Sequence, residues 1–413
     1  PLGLDRGEEG VEHLRSGHLP GHRRNVPCDT SAMTGLDERT CADVPPQARE
    51  LLTPLAPTAT GERTCAEPAP PAPKLLLHPA DRLAHELADR IEAASTALGR
   101  TVRLDGPATL RERTALEGLP PPGGTTSPGG GCHLLRCADG WLAISLARTS
   151  DLDLLPAWLA LAGSPFDVTP TAVDDLRPLV APLEGRALAD AAALVGLPVG
   201  VLGEVEVDAG DGTTVQDLGP RTVEHPIRVL DLSALWAGSL CARTLGLAGA
   251  TVTKVESTHR PDASRIGNPH LFAALNGTKA QAAVNLTTTA GVDELRTIIR
   301  ASDVVVESSR PRALELLGIV ALDELRAPGG PSVWVSITGH GRSSPRVAFG
   351  DDAAIAGGLV RWDDGEPRFA GDALADPLAG LAGAAAALEA LTAGRSALID
   401  VPLAAVAAAA ARR

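Results

Sequence analysis

Several short stretches of this chain hold residue types that can do chemistry. Asp376 precedes Pro377 and an Ala-rich run. Taken alone, that pattern is a helix N-cap with proline at the first helical position. Gly129-Gly130-Gly131 is either a linker or a mobile loop whose N–H groups face a developing oxyanion. Cys132 and Cys137 flank His133, which invites a metal. A closed zinc site wants four ligands, usually as two close pairs, and no second pair follows, so free thiols and no metal are expected. Leu230 to Gly238 reads as strand, loop and helix, with Glu256 placed to serve a ribose. The G-x-G-x-x-G fingerprint is missing and only Gly238 stands at the turn, so a nicotinamide dinucleotide is not expected. Lys254 and Lys279 read as surface lysines before phosphate ligands. Arg310 reads as a salt-bridging residue at a helix start, and His340 as a polar loop residue with no nearby carboxylate in sequence.

The elements that must position these residues follow from periodicity. Leu83, Leu87, Ile91 and Ala94 fall at helical spacing within 78–98. An alternating segment, Cys132 to Leu146, surrounds Ala138-Asp139-Gly140, a hairpin signature. Helical stretches near 151–162 and 173–195 lead to an extended piece at 197–202. From Pro226 the pattern changes: apolar strands at 227–232, 251–256, 303–307 and 333–337 alternate with helices at 237–247, 292–300 and 376–391. Continuous apolar strands joined by helices imply a parallel sheet covered on both faces. The expected class is α/β, a doubly wound parallel sheet with a smaller α+β domain. Ligands then belong at the carboxyl ends of its strands. The expected division is a disordered tail and Pro-rich linker at 1–74, a small α+β domain at 75–215, and an α/β domain at 216–413.

Bulk properties narrow the function further. The 413 residues are 44% hydrophobic, ample for a buried core. Tyrosine is absent and there are four Phe and five Trp, so Ala, Leu and Val must build that core. A net charge of −14 offers no field to draw nucleic acid or an anionic membrane surface. An anionic ligand must be held by local donors. No apolar stretch of about 18 residues is present, so no transmembrane span is expected. The start lacks the order of a signal peptide, and a cytoplasmic location is expected. Six cysteines in a chain this long are no disulfide framework. Two short copies, Glu38 to Asp43 and Glu62 to Glu67, are too few for a repeat fold. With Met33 the single methionine, residues 1–32 are expected to lie outside the natural product.

The blocks Arg228-Val229-Leu230-Asp231-Leu232, Ala237-Gly238, Gly249-Ala250, Lys254-Val255-Glu256, Leu275-Asn276-Gly277-Thr278-Lys279, Val306 to Pro311, Ser336-Ile337-Thr338-Gly339-His340-Gly341 and Ala375-Asp376-Pro377-Leu378-Ala379-Gly380 occur in that order. Together they resemble the class III CoA-transferases, of the carnitine, bile-acid and formyl-CoA type. Gly129 to Trp141 and Gly196 to Val201 resemble parts of that family's small domain, which here precede the α/β domain instead of following it.

The resemblance implies transfer of CoA from an acyl-CoA to a carboxylate acceptor, through an aspartyl anhydride and an enzyme–CoA thioester. Asp376 would be the nucleophile, with Gly129, Gly130 and Gly131 as lid. CoA would contact Trp236, Ala237, Leu275, Asn276, Gly277, Thr278, Ser308, Ser309, Thr338, Gly339, His340 and Gly341. The resemblance also implies an interlocked homodimer. The sequence departs from the family at Ser257, where an arginine is frequent, and at Ser309 and Asp351, where aromatics are frequent; such losses weaken phosphate and adenine binding. The family pattern also continues beyond Leu398-Ile399-Asp400-Val401. A racemase of the same fold, acting on 2-methylacyl-CoA, is one alternative. It uses a histidine where this chain has Gly350-Asp351-Asp352, which favours the transferase. A non-catalytic CoA-binding subunit is the other.

Overall fold

Apolar strands without alternation are stable only when both of their faces are covered. In a computed structural model of the chain, residues 78–164, 170, 172–223, 226–309 and 311–413 are described. The expected tail at 1–74, the two Cys-containing copies within it and Arg310 lie outside these residues.

Helix α1 (Pro79–Ala97) begins the described part. His78 accepts from the N–H of Ala80, and Leu83, Leu87 and Ile91 form one buried stripe. Two short helices follow, α2 (Gly106–Leu110) and α3 (Glu112–Glu117). The expected hairpin is β1 (Cys132–Cys137) and β2 (Gly140–Ser145), antiparallel, with Cys137 opposite Gly140 at the turn. Helices α4 (Thr149–Leu161), α5 (Val173–Val180) and α6 (Gly185–Val195) lead to β3 (Val199–Val201), which extends the hairpin to three strands. The helix expected over 173–195 is therefore two. It breaks after Val180, where Pro182 has no N–H to continue the ladder. Cys137 packs with Leu142, Ile144 and Trp158 beneath these helices, whereas Cys132 packs on the other side with Leu134, Ile355 and Phe369. The two thiols are free, buried and on opposite faces.

The rest builds a layered α/β unit. Its strands are β4 (Thr214–Pro220), β5 (Arg228–Leu232), β6 (Thr251–Ser257), β7 (Ala280–Val284), β8 (Val304–Glu307), β9 (Val333–Thr338), the small hairpin β10 (Val360–Asp363) and β11 (Glu366–Phe369), and β12 (Arg395–Pro402). The helices are α7 (Ala237–Leu247), α8 (Ser264–Gly267), α9 (Pro269–Asn276), α10 (Thr289–Arg300), α11 (Pro311–Leu316), α12 (Ala321–Arg326), α13 (Gly350–Ala356), α14 (Ala375–Thr392) and α15 (Leu403–Ala411). Among the described residues seven strands join in the order β4-β12-β9-β8-β5-β6-β7. All neighbours are parallel except β4 on β12. The doubly wound parallel sheet is thus present.

Alternate residues of the central strands enter two cores. Val229, Val304, Val306, Val333 and Val335 meet α7, α14 and α1 on one side. Leu230, Val305 and Trp334 meet Leu295 and Ile299 of α10 on the other. Apart from Asp376, Glu389 and its last turn, helix α14 is apolar on every side because it is covered on every side. Gly380 lets it touch α7, since a Cβ there would fall 2.7 Å from the Ala237 carbonyl oxygen. No described helix is long and apolar enough to cross a membrane.

Candidate active site

After β5 the chain moves outward to β6 and β7, and after β8 it moves the opposite way to β9 and β12. The crevice between the carboxyl ends of β5 and β8 is therefore a topological switch point, where doubly wound sheets place their ligands. Here the Ala234 N–H donates to Ser308 Oγ at 2.9 Å and joins the two loops. Leu235 adopts a φ of 63° in the β5 loop, a conformation costly for a branched side chain. The Leu235 N–H donates to both oxygens of Asp262 at 3.2 Å, and Lys254 Nζ donates to the Ser233 carbonyl at 2.8 Å.

Lys254 and Lys279 are both buried, contrary to the surface placement expected from sequence. Each lysine is matched by a carboxylate, Asp262 at 3.1 Å for Lys254 and Asp231 at 2.7 Å for Lys279. Asn276 joins this framework, its Oδ1 accepting from Lys279 Nζ at 2.8 Å. Its side chain is directed inward beside the buried Leu275, while Thr278 is exposed at the turn after Gly277. Trp236 and Ala237 are buried at the start of α7, and the Trp236 indole N–H has no hydrogen-bond partner among the described residues. Ser309 Oγ donates to Glu307 Oε2 at 2.8 Å. Thr338 Oγ1 donates to Asp400 Oδ1 at 2.8 Å and accepts from the Gly341 N–H at 3.1 Å. After Gly339, His340 is half-buried and its Nε2 has no hydrogen-bond partner among the described residues. Burial and the Arg346 guanidinium press its pKa down to about 4, so it is neutral. The loops after β5, β8 and β9 thus share one edge of the sheet.

Asp376 is not a cap. Leu374 is the N-cap residue of α14 and makes no side-chain cap bond, and Asp376 lies in the first turn. The helix starts earlier than Pro377 suggested because the preceding loop is pinned: the Ala373 N–H donates to Asp351 Oδ1 at 2.7 Å. Pro377 still costs nothing, since first-turn N–H groups have no intrahelical partner. The freed carboxylate keeps partial solvent access. The start of α13 covers it closely: a Cβ on Gly350 would lie 2.7 Å from Asp376 Oδ2.

Three further aspartates, Asp351, Asp352 and Asp372, and the Arg113 guanidinium bear on the charge of Asp376. Arg113, on α3, donates from Nε to Asp372 Oδ2 at 2.7 Å, with a second parallel bond from Nη2 to Oδ1. Its guanidinium lies 5.5 Å from the Trp236 ring centre. Asp351 and Asp352 are buried, and Asp352 Oδ1 accepts from Ser145 Oγ at 2.6 Å and from the Phe349 N–H at 3.0 Å. Burial pushes the Asp376 carboxyl up to about 7; Arg113 opposes that rise, and Asp351, Asp352 and Asp372 add to it. Burial likewise lifts Asp351 to about 6 and Asp352 to about 7. Arg113 stays protonated: burial opposes its charge, but Asp372, Asp351 and Asp376 outweigh it. Desolvation raises the basicity of the Asp376 carboxylate, and a basic, partly desolvated carboxylate is a better nucleophile than a fully solvated one.

The glycine run reaches the same place. A Cβ on Gly129 would lie 3.0 Å from Arg113 Nη2 and 3.7 Å from Asp372 Oδ1. Gly130 has a φ of 76° over open space, and Gly131 abuts Ala147. Sequence reasoning did not single out Arg113, Asp372 or Asp352. The Arg113–Asp372 pair is 259 residues apart in the chain, and no local signal marks it.

Residues 225–412 match the family model for CoA-transferase family III. Among curated proteins, the chain is 32% identical to an acyl-CoA transferase of Fusarium pseudograminearum, over 38% of this chain and 38% of that protein. It is 30% identical to a succinate–glutarate CoA-transferase of Agrobacterium fabrum, over 43% and 50% respectively. A formyl-CoA:oxalate CoA-transferase of Escherichia coli is 30% identical over 38% and 40%. The chain thus spans half or less of the length of these relatives. Among solved structures, a CaiB/BaiF family protein of Brucella suis is similar at 25% identity and a TM-score of 0.41, covering 46% of this chain and 55% of that one.

Proposed function

We propose, from the match of residues 225–412 to the family model for CoA-transferase family III, that the protein moves CoA from an acyl-CoA to a carboxylate acceptor with Asp376 as nucleophile. The observation that carries this reading is the Asp376 carboxylate itself. It lies in the first turn of α14, partly open to solvent, its carboxyl raised toward neutrality by burial, four residues after the Asp372 that clamps the Arg113 guanidinium.

The chemistry balances as an exchange of acyl oxygens and sulfur. An Asp376 oxygen attacks the thioester carbonyl; a C–O bond forms, the C–S bond breaks, and CoA leaves as thiolate. The thiolate then attacks the Asp376 carboxyl carbon of the mixed anhydride and expels the donor's carboxylate. The acceptor carboxylate attacks the resulting enzyme thioester and again releases CoA thiolate. That thiolate takes the new acyl group and frees Asp376. Carboxylates are weak nucleophiles, so positioning and desolvation must supply much of the rate. N–H groups of the loop Gly129 to Gly131 would face the tetrahedral oxyanions.

CoA would lie along the crevice where Ser308 meets Ala234, flanked by Trp236 and Ala237, by Gly277 and Thr278, and by the Thr338 to Gly341 loop. Leu275 and Asn276 would shape this wall from behind. In the same reading residues 75–215 supply the family's small domain, the chain works in the cytoplasm, and two chains interlock as a homodimer. The mass in solution by light scattering tests the last point, and a monomer at micromolar concentration would reject it. Turnover of a panel of acyl-CoAs with dicarboxylate and hydroxy-acid acceptors tests the activity. CoA binding with no transfer across the panel would leave a binding subunit instead.

A further inference from the structure

We propose that the Arg113–Asp372 ion pair is a latch: it holds Gly129 against the loop that leads into Asp376, with the Gly129 N–H as the donor to the oxyanion. The proposal rests on the reading of the glycine run as an oxyanion loop, and Arg113 and Asp372 are positioning residues within it. It joins residues outside the family-matched segment 225–412 to residues inside it.

Three segments of the chain meet at the Arg113 guanidinium. Nε donates to Asp372 Oδ2 at 2.7 Å and Nη2 donates to Oδ1, a fork that sets both plane and distance. The Trp236 ring centre, at the start of α7, lies 5.5 Å away. A Cβ on Gly129 would stand 3.0 Å from Nη2 and 3.7 Å from Asp372 Oδ1. Helix α3 is itself fixed, since Arg243 on α7 donates to both oxygens of Glu112 at 2.6 and 2.8 Å. A guanidinium held in this way cannot give ground, so the backbone reaches it only where no side chain intervenes. On the other side, Asp372 is followed by Ala373, whose carbonyl accepts from the Asp376 N–H at 2.9 Å and whose N–H donates to Asp351. Gly129 is thus joined through the fork to the turn that sets where Asp376 stands.

The rest of the glycine loop is tied by its own backbone. The Phe369 N–H donates to the Gly124 carbonyl at 3.1 Å, Leu134 to Thr125 at 2.8 Å, and Leu146 to Gly131 at 2.7 Å. The Gly130 N–H is spent on the Ser127 carbonyl at 2.8 Å, which leaves it nothing to offer a ligand. The N–H groups of Gly129 and Gly131 have no hydrogen-bond partner among the described residues. Gly131 packs against Ala147, whereas Gly129 is the one set against the Asp372 loop. A donor serves an oxyanion only when it is held to within about 0.5 Å. At Gly129 the latch supplies that constraint.

Arg113→Met opens the latch. Arg113→Met combined with Asp372→Asn opens it without stranding a buried carboxylate, and so keeps the fold. Hydrogen exchange of the full chain, read by mass on peptides covering Ser127 to Cys132, should become about tenfold faster or more in both variants, with α14 protected as in the wild type. The transfer kcat should fall on the order of a hundredfold, while KM for acyl-CoA moves by less than about threefold. Gly129→Ala should lower kcat about as far, and should add little to the loss in the double variant. Unchanged exchange in the double variant, faster exchange with kcat intact, or losses that simply multiply would each overturn the proposal. Exchange needs no turnover. If it behaves as expected while the wild type transfers CoA to no acceptor, the transferase reading fails and the latch stands as the device that orders the loop.

Discussion

Lys279 Nζ lies 2.7 Å from Asp231 Oδ2, with both side chains sealed from solvent and Asn276 and the Ser239 carbonyl completing the ammonium's contacts. The pair ties the turn after α9 to β5 and to α7. Removing one partner strands a buried charge, so Lys279→Met should cost about 3–5 kcal/mol in denaturant unfolding. Adding Asp231→Leu should recover part of that loss, because the double variant leaves no orphaned ion.

Asp352 makes stability depend on pH in a direction opposite to that of a salt-bridged aspartate. Burial lifts its folded pKa to about 7, against about 3.9 for an unfolded aspartate. Between those values the unfolded chain has released a proton that the folded chain still holds. Stability therefore falls as pH rises from about 4 to 7. Asp351 and Asp376 act with the same sign. The unfolding midpoint should drop between pH 5 and pH 8 in the wild type. Asp352→Asn, which can still accept from Ser145 and Phe349, should flatten that slope by more than about 1 kcal/mol.

Gly350 tests how tightly α13 covers the candidate nucleophile. A Cβ there would stand 2.5 Å from the Ala373 carbonyl oxygen and 2.7 Å from Asp376 Oδ2. Gly350→Ala must push α13 away from the start of α14, at a cost of about 1–3 kcal/mol. Transfer should fall more than stability predicts, since misplacing a reacting group is costly in rate. Unchanged transfer would mean that Gly350 does not hold the carboxylate in place.

How legible this was in the sequence depended on side-chain shape. The strands rich in Val, Leu and Ile, β5, β8 and β9, announce themselves because only covered strands tolerate such runs. Strand β7 is written Ala-Gln-Ala-Ala-Val and lies exposed at the sheet edge, where neither propensity nor alternation marks it. Helix α15, nearly all alanine, carries no stripe because it is buried all round. The order of blocks around it singled out Asp376 as a candidate, while its local pattern suggested a cap that the structure does not have. The Asp351 hydrogen bond to Ala373, made across 22 residues, moved the helix start. Arg113 was invisible, since nothing at Glu112-Arg113-Thr114 distinguishes it from a solvated helix face.

Asp376→Asn separates the roles of this residue most cleanly. No cap bond is lost, because the side chain makes none. The substitution also removes a carboxylate that burial disfavours in its charged form. At pH 8, where the wild-type group is ionised, stability should therefore hold or rise, and at pH 5 it should change little. Transfer should fall on the order of a thousandfold or more, as when a nucleophile is removed. Wild-type protein treated with acyl-CoA and then hydroxylamine should carry an aspartyl hydroxamate at position 376, read by peptide mass, and the Asn variant none. The two measurements pull apart what a structural residue would couple: activity collapses while the fold gains. If the Asn variant transfers CoA at the wild-type rate, Asp376 is a strained carboxylate and not the nucleophile, and the acyl-accepting group must be sought elsewhere along the crevice.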